Sequence, residues 1–141
     1  MRVILDTNIL LAALLSSRGA PAQIIEAWEQ NLCTPATCPE SLTELREVAD
    51  RPFFRTRLRA GTAGRLAASL RDLAVFYRAL PSASGAPEAK DNFLLALADA
   101  SHVDFLVTGD KSLLSMKRYK STRIVTPAAL IELLKAEARG D

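Results

Sequence analysis

Val3-Ile4-Leu5-Asp6 near the start of the chain and Phe105-Leu106-Val107-Thr108-Gly109-Asp110 near its far end decide the fold. Each is a short apolar run, unbroken by alternation, that leads to a carboxylate. Such runs mark strands buried on both faces. We read strands over 3–5 and 104–107, a third over 123–125 and a weak one over 32–34. Helical spacing fills the intervals. Residues 9–15 follow the first strand, with Thr7 or Asn8 as a cap. Gly19 and Pro21 mark a turn before a helix over 22–29. Pro39 takes the first position of a helix over 40–50, which ends at Arg51-Pro52. A short helix is expected over 53–59, a long one over 63–77 and a buried one over 91–101. Pro127 starts the last helix, the stretch 81–87 (PSASGAP) is a loop, and 138–141 is a polar tail.

Strands alternating with helices predict an α/β fold, a parallel sheet with helices on both faces. The 141 residues suit one domain, 1–141. With 49% hydrophobic and 24% charged residues, the composition is that of a globular chain. Two cysteines rule out a disulfide-stapled scaffold, and Cys33 and Cys38 read as free buried thiols. No apolar run reaches the ~20 residues of a membrane span. Asp6 and Asn8 interrupt the N-terminal apolar stretch too early for a signal peptide, so the expected location is cytoplasmic. A net charge of +2 neither demands nor forbids a nucleic-acid partner.

In open parallel sheets, ligands sit outside the carboxyl ends of the strands. Both strong strands lead to an aspartate there, Asp6 and Asp110. Carboxylates gathered at a buried edge repel one another unless a cation relieves them. Hard Mg²⁺ or Mn²⁺ suits oxygen donors of this kind. Two further acids can reach the edge. Asp91 opens the apolar helix before the second strong strand. Glu44 lies roughly 110° from the centre of the apolar face of helix 40–50, whereas Glu40 and Glu47 lie roughly 150–170° away.

The segments LDTNIL, SLTELREV, KDNFLLALA and DFLVTGDKSLL, in this order, resemble the PIN domain family. They look most like its bacterial branch of toxin components of toxin–antitoxin pairs (VapC-like ribonucleases), and the resemblance runs through IVTPAAL. It implies a three-layer α/β/α sandwich with a central parallel sheet. It also implies a Mg²⁺- or Mn²⁺-dependent endoribonuclease whose catalytic, metal-binding acids are Asp6, Glu44, Asp91 and Asp110. Asn8 and Thr108 would support them. An RNA substrate, a small antitoxin partner and a homodimer follow by the same resemblance. Two departures stand out. Ser112 occupies a position where relatives often carry a further acid, and Glu88-Ala89 stands where they often have Asp-Pro.

Each acid also has an ordinary role to weigh. Asp6 and Asp91 could cap helices, Asp110 could be a turn residue and Glu44 a solvated helix acid. Arg51, Arg55, Arg57 and Arg59 surround Phe53 and Phe54. They suit an RNA-backbone contact, with Arg55 a candidate, or a groove for a partner helix, or a solvated face over two core aromatics. Lys111, Lys117, Arg118 and Lys120 follow the last acid, and Lys111 is the best placed for substrate. His102, the single histidine, excludes a histidine-pair ribonuclease. A PIN-fold binding module with weak or no nuclease activity is the alternative reading. A dehalogenase-type phosphatase would need an Asp where Asn8 stands.

Overall fold

Val3, Ile4 and Leu5 are all buried in the first strand, β1 (Arg2–Leu5), and their alternation across the pleat sets the two sides of the molecule. Residues 1–140 are described in this computed structural model. After β1 come α1 (Thr7–Leu15), α2 (Ala20–Glu29), β2 (Thr34–Thr37), α3 (Pro39–Ala49), α4 (Pro52–Arg55), α5 (Thr62–Leu73) and β3 (Val75–Phe76). A 3₁₀ turn over Ala89–Asp91 leads into α6 (Asn92–Ser101). The chain continues with β4 (Phe105–Val107), α7 (Lys111–Met116), β5 (Arg118–Tyr119), β6 (Thr122–Val125) and α8 (Pro127–Ala138).

The six strands form one sheet in the order β3-β2-β1-β4-β6-β5. Every pairing is parallel except β5 with β6. The expected central parallel sheet is therefore present, with one antiparallel strand added at its edge. Val3, Leu5, Phe105, Val107 and Val125 face one side. There they join a core with Leu11 of α1, Ile24 of α2, Leu45 of α3, Leu70 of α5 and Leu130 of α8. Ile4, Leu106 and Ile124 face the other side, against Leu94 and Leu97 of α6 and Leu113 of α7. Two apolar layers enclosing a mostly parallel sheet make the three-layer α/β/α sandwich.

Several boundaries differ from the sequence expectation, each for a local reason. The second strand lies at 34–37, not 32–34, because its tail pairs with β3 (Ala36 with Val75, Thr37 with Phe76). That pairing also ends the predicted helix 63–77 at Leu73; Ala74 is extended, and β-branched Val75 and aromatic Phe76 suit a strand. Helix 53–59 shrinks to the single turn of α4. Neither Thr7 nor Asn8 caps α1, since Asp6 holds that position. Helix 91–101 loses Asp91 to the 3₁₀ turn. Helix α7 and strand β5, in a stretch without clear periodicity, were not expected at all. The last helix runs to Ala138, Arg139 and Gly140 are exposed, and the final residue of the predicted tail, Asp141, lies outside the described residues. Cys33 and Cys38 are free and buried.

Candidate acidic site at the strand ends

Strand order brings the two aspartate-tipped strands side by side. β1 pairs with β4 in parallel register, Leu5 opposite Val107, and the Asp6 amide donates to the Val107 carbonyl at 3.0 Å. The chain first crosses from β1 to β2 on one side and later enters β4 on the other. The β1/β4 junction is therefore the topological switch point of the sheet, where open α/β folds place their ligands.

Thr108 fastens this junction. Its fully buried hydroxyl donates to Asp6 Oδ2 at 2.8 Å and accepts from the Asp110 amide at 3.1 Å. Thr108→Val keeps the shape and removes both bonds. We expect a loss of about 1–3 kcal/mol, read as a lower urea midpoint with an unchanged m value; an unaltered midpoint would contradict the bridging role.

The ordinary roles divide among the acids. Asp110 does cap a helix: its Oδ1 accepts from the Ser112 amide at 2.8 Å and from the Ser112 hydroxyl at 2.7 Å. These bonds hold its carboxyl below the usual carboxylate range. Asp6 and Asp91 stand at the cap positions of α1 and α6, yet neither side chain makes a capping bond. Glu44 is half-buried while Glu40 and Glu47 are exposed, the ranking given by the helical wheel.

Asp6 and Asp91 feel the charges of the other acids. Burial is the main force raising the pKa of Asp6. The Thr108 bond opposes it, and the charges of Glu44 and Asp110 reinforce it. Asp91 is pushed up to about 6, again first by burial and then by Asp6, with Lys90 opposing and Glu44 and Asp110 adding. No salt bridge reaches Asp6, Glu44, Asp91 or Asp110 among the described residues, and no hydrogen bond reaches the Asp91 carboxylate. The arrangement is a set of oxygen donors whose charge Lys90 opposes at Asp91 and Asp110 without forming a salt bridge to either. As the side chains stand, no three of the described acids, histidines or cysteines are close enough together to hold one ion.

The PIN domain family model matches residues 2–112, from the start of β1 into the first turn of α7. The chain belongs to the PIN domain family. PIN domains are commonly nucleases and usually bind divalent metals. No curated protein sequence matches this chain. No helix among the described residues is long and apolar enough to cross a membrane.

The other candidates lie around this PIN-domain edge with varied commitment. Asn8 is exposed on the first turn of α1, and Lys111 is exposed at the start of α7. Arg55 sits on α4, paired with Asp50 at 3.6 Å. The two phenylalanines beside it are not both core: Phe53 is 53% exposed and only Phe54 packs inward. Sequence reasoning missed Ser112 as the partner of Asp110. Its signal was present, since an Asp two residues before a Ser at a helix start is a capping arrangement.

Proposed function

We propose that this PIN domain is a Mg²⁺- or Mn²⁺-dependent endoribonuclease, the toxin of a toxin–antitoxin pair. The observation that supports the nuclease reading is that Asp6 at the switch point and the buried Asp91 each feel the charges of Glu44 and Asp110 and neither has a salt bridge among the described residues. Their donor chemistry fits a hard dication, which would offset the burial and the repulsion that raise Asp6 and Asp91. Asp6, Glu44 and Asp91 are the residues that would hold it, with Asp110 beside them. Such an ion supplies Lewis acidity toward a phosphodiester and eases deprotonation of water. The protein's own part is to fix Asp6 through Thr108, to fix Asp110 through Ser112, and to keep Asp91 buried and unpartnered. Hydrolysis by in-line attack of water leaves a 5′-phosphate and a 3′-hydroxyl. The toxin role, a cognate antitoxin and a homodimer are carried by the resemblance of the four segments.

The second reading is a PIN-fold binding module with little nuclease activity. Two observations favour it: Asp110 is tied up by Ser112, and the acids stand too far apart to share an ion without rearranging. A labelled RNA panel incubated with Mg²⁺, with Mn²⁺ and with EDTA separates the two. We expect metal-dependent cutting, lost in EDTA, with 3′-hydroxyl products. Cyclic-phosphate ends would refute the mechanism, and no cutting by folded protein with either metal would favour the binding module.

A further inference from the structure

A cleft of about 640 Å³ lies between the C-terminal half of α3 and the N-terminal turn of α5, with Arg55 of α4 on its wall. None of the four acids lines it. Glu47 does, and it stands three residues beyond Glu44 on α3, a spacing that makes the two surface neighbours. The cleft therefore opens within about one helical turn of the acidic edge.

The cleft lining carries Arg46, Arg55 and Arg59 against Glu47 and Asp50, a net of +1, within a more basic segment: residues 46–65 hold six arginines (46, 51, 55, 57, 59 and 65) against the same two acids, a net of +4. The chain as a whole carries +2, so the remainder carries 2 − 4 = −2. Arg46 and Arg59 line the cleft, and neither guanidinium has a hydrogen bond or ion pair among the described residues. Outside the cleft lining, α4 carries Phe53 two residues before the wall residue Arg55. The Arg57 guanidinium lies 3.9 Å from the centroid of the Phe53 ring and donates to the Phe53 carbonyl at 2.8 Å. A half-exposed aromatic on the same segment as the unpaired Arg46 and Arg59 is what single-stranded nucleic-acid surfaces use: cations for successive phosphates, a ring for a base. Phe53 stays 53% exposed even with Arg57 over its ring.

We propose that this cleft is a binding site for the backbone of single-stranded RNA, in which Arg46 and Arg59 take phosphates and Phe53 stacks a base. It rests on the ribonuclease reading for its purpose, holding the strand beside the acidic edge, but its binding is read apart from cleavage. The probe is a fluorescein-labelled uridine 12-mer, titrated with the full chain by anisotropy in EDTA. Arg46→Gln with Arg59→Gln raises the Kd at least tenfold at low salt. It also flattens the slope of log K against log salt by about 1.4, roughly 0.7 for each lost contact. Phe53→Ala raises the Kd about fivefold or more and leaves the slope unchanged. Gly64→Glu is the control for folding. A Cβ there meets nothing within 4 Å, and an acid in the first turn favours the helix, so Tm does not fall while RNA binding weakens.

Unchanged Kd and slope in the double variant would overturn the proposal. So would duplex RNA binding as tightly as the 12-mer, or a glutamate 12-mer peptide displacing the RNA at equal concentration, which would assign the cleft to an acidic protein partner. Variant-sensitive binding without any cleavage removes the nuclease reading and leaves this one standing. Cleavage with variant-insensitive binding does the reverse.

Discussion

On the ribonuclease reading, we expect Asp6→Asn and Asp91→Asn each to lower metal-dependent RNA cleavage by about 10³-fold or more, equivalent to about 4 kcal/mol in the barrier. Asparagine keeps the size of the side chain and discards its charge. At position 6 the amide oxygen can still accept from Thr108, so the β1/β4 junction survives while the donor set for a cation is weakened. At position 91 no hydrogen bond is lost, since the carboxylate has none among the described residues. Both variants should therefore fold, which thermal melts verify. Glu40→Gln, on the solvated face of α3, changes the rate less than twofold. A loss under tenfold in either folded variant would remove that acid from the site.

The second large effect runs opposite to the loss of activity. Asp91→Asn makes the metal-free protein more stable at pH 7.5. The folded pKa of Asp91 is about 6, above its ordinary 3.8. The folded state thus binds this proton more tightly than the unfolded state. The stability tied to the protonated form is complete below pH 3.8 and is lost as the pH rises through 6. A shift of this size corresponds to about 2–3 kcal/mol, or roughly 5–10 °C in Tm for a domain of this size. Asp6 shifts in the same direction and Asp110 in the opposite one, but both are common to the two proteins being compared. The Tm advantage of the asparagine variant should shrink from pH 7.5 to pH 4. Millimolar Mg²⁺ or Mn²⁺ should raise the wild-type Tm and narrow the gap, because a ligand that binds only the folded state stabilises it. A gap that is the same at pH 4 and pH 7.5 would show that burial and repulsion do not act on Asp91.

These two results belong together physically. The buried, charged Asp91 lowers the stability of the fold, and on the nuclease reading a cation offsets that cost. Replacing Asp91 then relieves the fold and weakens the site, a trade expected where function is built on unfavourable charge.

Much of the candidate site was legible in the chain itself. Val3-Ile4-Leu5 and Phe105-Leu106-Val107 are apolar without alternation, and that alone marks strands buried on both faces. Their following aspartates needed only the rule that ligands gather at carboxyl ends of parallel strands. Glu44 separated from Glu40 and Glu47 by helical angle, because 3.6-residue periodicity is a local property. The weaker elements were less readable. β3 is a two-residue strand that exists through its pairing with Ala36 and Thr37, some forty residues earlier. A helical pattern running into Val75 carries no trace of that partner. Strand β2 holds Pro35, a poor strand former, in register with Val3.

By itself, then, the sequence determined the alternation of strands and helices and the aspartate after each strong strand, since these follow from periodicity and composition within short windows; the four acids as one site came from the resemblance. Tertiary structure alone decided the rest. It set β1 beside β4, so that Thr108 could bond Asp6 across 102 positions of chain. It left Asp91 buried without a hydrogen-bond partner. It exposed Phe53 and opened the arginine cleft against the first turn of α5. Desolvation and charge repulsion depend on which distant segments share a volume, and only the packed sheet and its helices specify that.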